Sequence, residues 1–166
     1  MPLALTDPRW QDVQLDMNEN RQETFALLQM GYDGRMSLDE FGELIHQYHH
    51  QGGDSELMYA VVPHMVEIAK LYQGQIRTTM LMAVGFAHAE ADISKYSQCP
   101  PFLRDDFRAC GEEGLSLLLT HMNEPVEFYE LKFRFAALAG FLGHSDFSKL
   151  LEAIEIVDGE FKYPGS

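Results

Sequence analysis

Residues 33–48 read DGRMSLDEFGELIHQY, and the first part can be taken in two ways. As the back half of a calcium loop, Gly34 would make the sharp turn and Asp33, Ser37 and Glu40 would be ligands. The first two ligands would then be Gln29 and Gly31. One is neutral and the other has no side chain, so most of the charge that attracts a hard cation is missing. As a helix start, Ser37-x-x-Glu40 is a capping box, with Asp33-Gly34 supplying the turn before it. The residues that follow decide between the two. Leu38, Phe41, Leu44, Ile45 and Tyr48 recur at helical spacing and make one apolar stripe. The stretch predicts an amphipathic helix that stops before Gly52-Gly53.

The same pattern extends in both directions. Residues 1–18, with Pro2 and Pro8, show little periodicity and read as an irregular arm. Glu19 to Met30 predicts a short helix ending at Gly31. Beyond Gly53, Asp54 or Ser55 caps a helix that is apolar at Leu57, Ala60, Val61, Met65, Ile68 and Tyr72, and Pro63 inside it predicts a kink or a restart. Ile76, Met80, Ala83, Val84 and Ala87 mark a further helix to about Ala89. Residues 91–101 form the longest linker. Phe102 to Met122 is helical in pattern, with Gly111 and Gly114 as places to break or bend. After Pro125, Tyr129, Phe133, Ala136 and Ala137 line one face, and Gly140 continues it without a side chain, inviting a neighbouring helix close. Ser145 is expected to cap a last helix with Phe147, Leu150, Leu151 and Ile154 inside. No stretch alternates convincingly as a strand does. The fold class is all-α, with a single helical domain over 19–157 and a tail over 158–166.

Composition bounds the partners. Apolar residues make up 46 % of the 166, enough for a real core. The formal charge is −14, which disfavours nucleic acid because phosphate binding needs a basic face. Charge is also segregated. Residues 1–60 carry eleven acids against three bases and residues 90–130 nine against three, whereas residues 61–89 carry one acid and two bases. The neutral middle is expected to be buried. The opening MPLALTDPRW lacks a basic and then apolar leader, and no apolar run is long enough to span a bilayer, so a cytoplasmic location is expected. Cys99 and Cys110 are too few for a disulfide framework.

The segment HHQGGDSELMYAVVPHMVEIAK, His49 to Lys70, resembles bacterial HEAT-like proteins. In these a helix ends in His-Gln-Gly, and the next carries Ala-x-x-Pro-x-Leu. The matching positions are Gln51, Gly52, Ala60, Pro63 and Met65, with Met replacing Leu. Residues 124–146, EPVEFYELKFRFAALAGFLGHSD, continue the general pattern. Helix pairs begin near residues 38, 75 and 125, close to the period of about 40–47 residues in such arrays. The resemblance implies antiparallel helix pairs stacked as a short α-solenoid. It also implies a non-enzymatic, protein-binding role, since some proteins of this type look like immunity proteins that neutralise secreted bacterial toxins.

Two chemistries compete for a site. Asp105, Asp106, Glu112, Glu113, Glu124, Glu127 and Glu130 would give the second half an acidic face suited to a basic protein such as a toxin. Phe102, Phe128 and Tyr129 are aromatic anchors for such a face or, as their bland alternative, core residues. The rival is a metal site of Glu43, His46 and His50, which share one side of the Leu38–Tyr48 helix. Glu-x-x-His is a di-iron spacing, but in those bundles it faces inward and recurs on a second helix, as it does not here. No Gly-x-Ser-x-Gly, phosphate loop or His-Glu-x-x-His occurs, so no catalytic residue and no cofactor is expected.

Overall fold

The computed structural model describes residues 1–16, 19–48, 55–125, 128–157 and 160–162; for 128–129, 155–157 and 160–162 it describes the backbone alone. The body is helical, made of α1 (Arg21–Tyr32), α2 (Leu38–Tyr48), α3 (Glu56–Ala69), α4 (Gly74–Ser94), α5 (Arg104–Thr120), α6 (Phe128–Phe141) and α7 (Ser145–Ala153). A two-stranded antiparallel ribbon, β1 (Glu155–Val157) and β2 (Glu160–Lys162), follows with Ile156 opposite Phe161. Three-residue strands are too short to show alternation. Their sequence signal is Asp158-Gly159, a dipeptide favoured between hairpin strands. The ribbon crosses the expected domain boundary at 157.

Local chemistry sets the helix starts. The Ser37 amide donates to Glu40 Oε2 at 2.6 Å and the Glu40 amide to Ser37 Oγ at 3.3 Å, which is the capping box. Gln29 and Gly31, which a calcium loop would need as ligands, lie inside α1. Asn20 caps α1 by accepting from the Gln22 and Glu23 amides, and Ser55 caps α3 by accepting from the Met58 amide. The N-terminal arm is more ordered than expected. It carries a 3-10 turn, Pro8–Asp12, and buries Leu3, Trp10 and Val13. Trp10 donates its indole N–H to the Ala4 carbonyl at 3.0 Å.

Packing alternates along the chain. α3 lies against α1 and α5, α4 against α2 and α6, and consecutive helices also touch from α1 to α2 and from α3 through α7. In α3 every residue from Leu57 to Ala69 except Glu67 is buried. The helix runs unbroken through Pro63, without the expected restart. An interior proline costs about 3 kcal/mol, and burying each large aliphatic neighbour returns about 1.5–3 kcal/mol. Packing therefore wins. α4 likewise outruns its expected end at Ala89 and stops where Lys95 and Tyr96 turn left-handed, both at φ 58°. The linker shortens accordingly. α5 runs through Gly111 and Gly114 without a break.

α6 meets α4 almost backbone to backbone. A Cβ on Gly85 would stand 2.7 Å from the Ala137 Cα, and one on Gly140 would collide with the Gly85 carbonyl oxygen. The close approach expected of Gly140 is present. The last helix departs from expectation. Ser145 and Ser148 are its buried residues, while Phe147 is 53 % and Leu150 46 % exposed. His144, not Ser145, holds the cap position, and the Ser145 hydroxyl donates to Asp92 Oδ2 of α4 at 2.5 Å. Small serines let α7 sit close to its neighbours, and that contact turns the apolar side outward.

Two glycine substitutions separate packing from propensity. Gly140→Ala should destabilise by about 1–3 kcal/mol, because overpacking outweighs the helix preference of alanine. Gly42→Ala, in α2 with nothing within 4 Å of the new methyl, should stabilise by about 0.5–1 kcal/mol. Urea unfolding of both variants checks the opposite signs.

Candidate partner-binding surface

The acidic residues expected to form one face divide by environment. α5 buries Phe107, Cys110, Gly111, Gly114 and Leu118 on one side. Asp105 and Glu112, seven residues apart and so two turns along one ridge, are exposed on the other. Asp106 and Glu113 form the neighbouring ridge and are engaged. Asp106 accepts from the Met1 ammonium at 2.9 Å, and Glu113 from Lys70 Nζ of α3 at 2.5 Å. Lys70 also meets Glu67 at 2.9 Å. Exposed ion pairs of this kind contribute at most about 1 kcal/mol each, and they leave the ridge open to solvent.

Glu124 and Glu130 belong to a different structure. Arg77 of α4 is buried and points one guanidinium nitrogen at His121 and, at 3.3 Å, at Glu124 Oε1. His121 Nδ1 lies 2.7 Å from the same carboxylate oxygen. Arg134 of α6, 1 % exposed, donates to the carbonyls of His121, Met122 and Glu124 and to Thr78 Oγ1. It satisfies carbonyls left over at the end of α5 and in the turn that follows. Burial pulls the Arg134 pKa down, and Glu124 and Glu130 oppose that. Glu130 itself is buried and accepts from Gln75 Nε2 at 3.1 Å. Glu130 is thus withdrawn from any open face, and Glu124 is half withdrawn. The cause is the pair of buried arginines, which need nearby negative charge. Glu127, Phe128 and Tyr129 fall where no side chain is described, and Phe102 is partly buried against the core.

Glu43 and His46 are exposed on α2, and His50 lies outside the described residues. Among the described residues no group of three or more His, Cys, Asp or Glu could hold a metal ion. Other histidines lie deep in the core. His64 stacks at 5.9 Å on Trp10, and its Nδ1 is 2.7 Å from the Tyr32 hydroxyl. Burial raises the Tyr32 pKa to about 12, so its hydroxyl stays protonated beside the imidazole. His88 lies against Phe107 at 4.3 Å, and Gly111 leaves room for its ring. Burial pushes both histidines down to about 4, a shift that the Leu3 backbone opposes at His64. Cys110 Sγ is 3.7 Å from His88 Nε2 but donates to the Phe107 carbonyl at 3.0 Å. Burial pushes its thiol up, and Glu113 and Asp106 add to that. A thiol so protonated beside a neutral imidazole is a packed pair, not an activated nucleophile.

An apolar cleft of about 170 Å³ is lined by Ile45, Tyr48, Met82, Ala83 and Phe86, with Thr79 and Glu152 at its edge. A polar recess of about 470 Å³ joins Asp92 and Lys95 of the α4 end to His144, Ser145 and Asp146. Its Ser145 hydroxyl already donates to Asp92, so the pair serves as a lock between helices. Sequence reasoning missed the outward turn of Phe135, Leu142, Phe147 and Leu150, each 45–53 % exposed. The signal was the Ser145, Ser148 pairing on the opposite side of α7.

Compared with protein-family models, curated proteins and solved structures, the chain matches none. Among the described residues no helix is long and apolar enough to cross a membrane.

The buried histidines set a pH dependence. Both stay neutral in the folded protein until about pH 4, whereas in the unfolded chain they take up protons below about pH 6.5. Stability should therefore be full above that point and fall as pH drops toward 4. Between pH 7.5 and 5.5 the loss should be about 2–3 kcal/mol for the two together. Urea unfolding at both values reads it, and His88→Phe should remove roughly half of the slope.

Proposed function

We propose that the chain is a non-enzymatic protein-binding domain, a short HEAT-like α-solenoid that neutralises a basic bacterial toxin by covering it. The solenoid part is supported by the packing order. α1, α3 and α5 follow one another in contact, as do α2, α4 and α6, while consecutive helices bridge the two rows. Such stacked pairs present extended faces to partners.

The observation that carries the binding part is α5. One side of it is core, and the other presents Asp105 and Glu112 openly, with Asp106 and Glu113 beside them and Arg104 and Arg108 also exposed, four acids against two bases. The chain as a whole is strongly acidic at −14. A negative ridge on a rigid helix speeds encounter with a basic partner and disfavours acidic ones. The non-enzymatic part is supported by the state of the reactive side chains: His64, His88 and Cys110 are all buried and held in their neutral forms.

The test is capture from extract of the native cell at low ionic strength, with the retained protein identified by mass. A basic protein should be held by the wild type and released as salt rises, since screening shortens the reach of exposed charges to about 8 Å at physiological ionic strength. Reversing the ridge with Asp105→Lys and Glu112→Lys together should weaken that binding at least about tenfold while leaving the helical signal unchanged. Equal retention by both forms, or retention insensitive to salt, contradicts the reading.

A further inference from the structure

We infer that residues 1–13 form a releasable strap, which a proton on His64 frees from α1, α3 and α5 while the helices stay folded. The segment holds its own shape. The amides of Asp7, Trp10 and Val13 donate to the carbonyls of Ala4, Asp7 and Trp10, and the Trp10 indole N–H donates to Ala4 as well. Polar ties to the body lie at its two ends: the Met1 ammonium meets Asp106 of α5 at 2.9 Å, and Arg21 of α1 donates to the Val13 carbonyl at 2.9 Å. Between those ends, burial and ring contacts hold it. Leu3, Trp10 and Val13 are buried, and Arg9 lies over Phe102 at 5.8 Å. Trp10 meets Phe25 of α1 edge-on at 4.8 Å and stacks on His64 of α3 at 5.9 Å. The burial of three side chains is largely offset by the ordering of the whole segment, so it opens more readily than the helices do.

His64 makes the docking conditional. Its ring is buried, its Nδ1 is 2.7 Å from the Tyr32 hydroxyl, and its Nε2 has no hydrogen-bond partner among the described residues. A proton would place a full charge there, and a buried charge needs an opposite one beside it. The ionisable groups around it are committed elsewhere. Tyr32 keeps its own proton, because burial pushes its pKa to about 12. Glu67, one turn further along α3, is paired with Lys70 at 2.9 Å. On α5, Asp106 is taken by Met1 and Glu113 by Lys70. On α4, Arg77 turns to His121 and Glu124, and His88 lies against Phe107. On the strap itself, Arg9 holds Asp7 at 2.8 Å. The Leu3 backbone favours a proton on the ring, but by less than burial opposes it.

Release removes the conflict. Lifting Trp10 away gives the imidazole a wet side, where it titrates as it would in an open chain. Docked, the ring charges only near pH 4; in water it does so near 6.5. The strap is therefore held most firmly above about pH 6.5, and its hold weakens as pH falls toward 4. Between pH 7.5 and 5 the equilibrium moves toward release by about thirtyfold. His88 provides the contrast. Burial lowers it to the same value, but Phe107 of α5 and Phe141 of α6 enclose it, so its proton must wait for the helices to part. What release uncovers is the side of α1 and α3 that carries Phe25 and His64, an apolar surface shown only in acid.

Hydrogen exchange of the Trp10 indole N–H, followed by nuclear magnetic resonance in the full chain, is the test. Trp10 is the single tryptophan, so its signal stands alone. Exchange reads the open fraction even where that fraction is small. At pH 7.5 this N–H should be less protected than the core amides of α3 and α4, because the strap opens without the helices. Corrected for the exchange rate of free indole, its protection should fall about thirtyfold between pH 7.5 and 5. His64→Gln, which is neutral at every pH, should remove that fall, and so should His64→Phe. His88→Phe should leave it unchanged while flattening the pH dependence of the core amides. Three results overturn the inference: an indole N–H as protected as the core amides at both pH values, a fall that survives both changes at His64, or a fall that His88→Phe abolishes. The first and third comparisons need no change at His64, so they decide the matter even where those variants do not fold.

Discussion

The structure depends on how closely α6 can approach α4. Gly85 and Gly140 leave the two backbones in direct contact, with Ala89 and Ala137 filling the remaining space. Gly140 turns an α-hydrogen toward the Gly85 carbonyl, a contact worth at most about 1 kcal/mol alone. Its larger effect is positional. Bringing α6 this near places Arg134 beside Thr78 and among the carbonyls after α5, so the turn between α5 and α6 is tied down from α4. It also lets α7 reach α4 as well as α6.

Electrostatics then sorts the remaining residues. Among the described residues two buried cations are held by several acceptors: Arg77 by His121, Glu124 and the Ala69 carbonyl, Arg134 by carbonyls and a hydroxyl. Removing one member of such a group leaves another charge desolvated, which is where most of the destabilisation arises. The buried histidines avoid that problem by staying neutral. What is left over for the surface of α5 is Asp105 and Glu112 together with Arg104 and Arg108, and residues 128–154 balance three acids with three bases.

Much of this was legible in residue order. The Ser37–Glu40 box, the Leu38–Tyr48 stripe, the buried neutral middle and the close approach at Gly140 all depend on neighbours within a few turns or on side-chain size, and both are visible in a sequence. Three features were not. The unbroken α3 needs the surrounding core to overcome Pro63, and that core is assembled from distant residues. The burial of Trp10 depends on where α1 and α3 bring Phe25 and His64. α7 was read inside out because periodicity shows that a helix has two sides, not which of them faces the protein. Two buried serines, Ser145 bonded to Asp92 of α4 and Ser148, decided that, and they carry little hydrophobic signal. The acidic candidates divided for a similar reason. Nothing in the spacing of Glu124 and Glu130 distinguishes them from Asp105 and Glu112; only Arg77, Arg134 and Gln75 do.

The most direct test is a nuclear Overhauser measurement on protein labelled at glycine Cα and alanine methyl carbons. Close contact between α4 and α6 predicts cross-peaks from the Gly140 α-protons to the Ala89 methyl and from the Gly85 α-protons to the Ala137 methyl. If both are absent while the cross-peaks within each helix are present, the two helices are held apart by intervening side chains. The arrangement of Arg134 and α7 would then have no foundation.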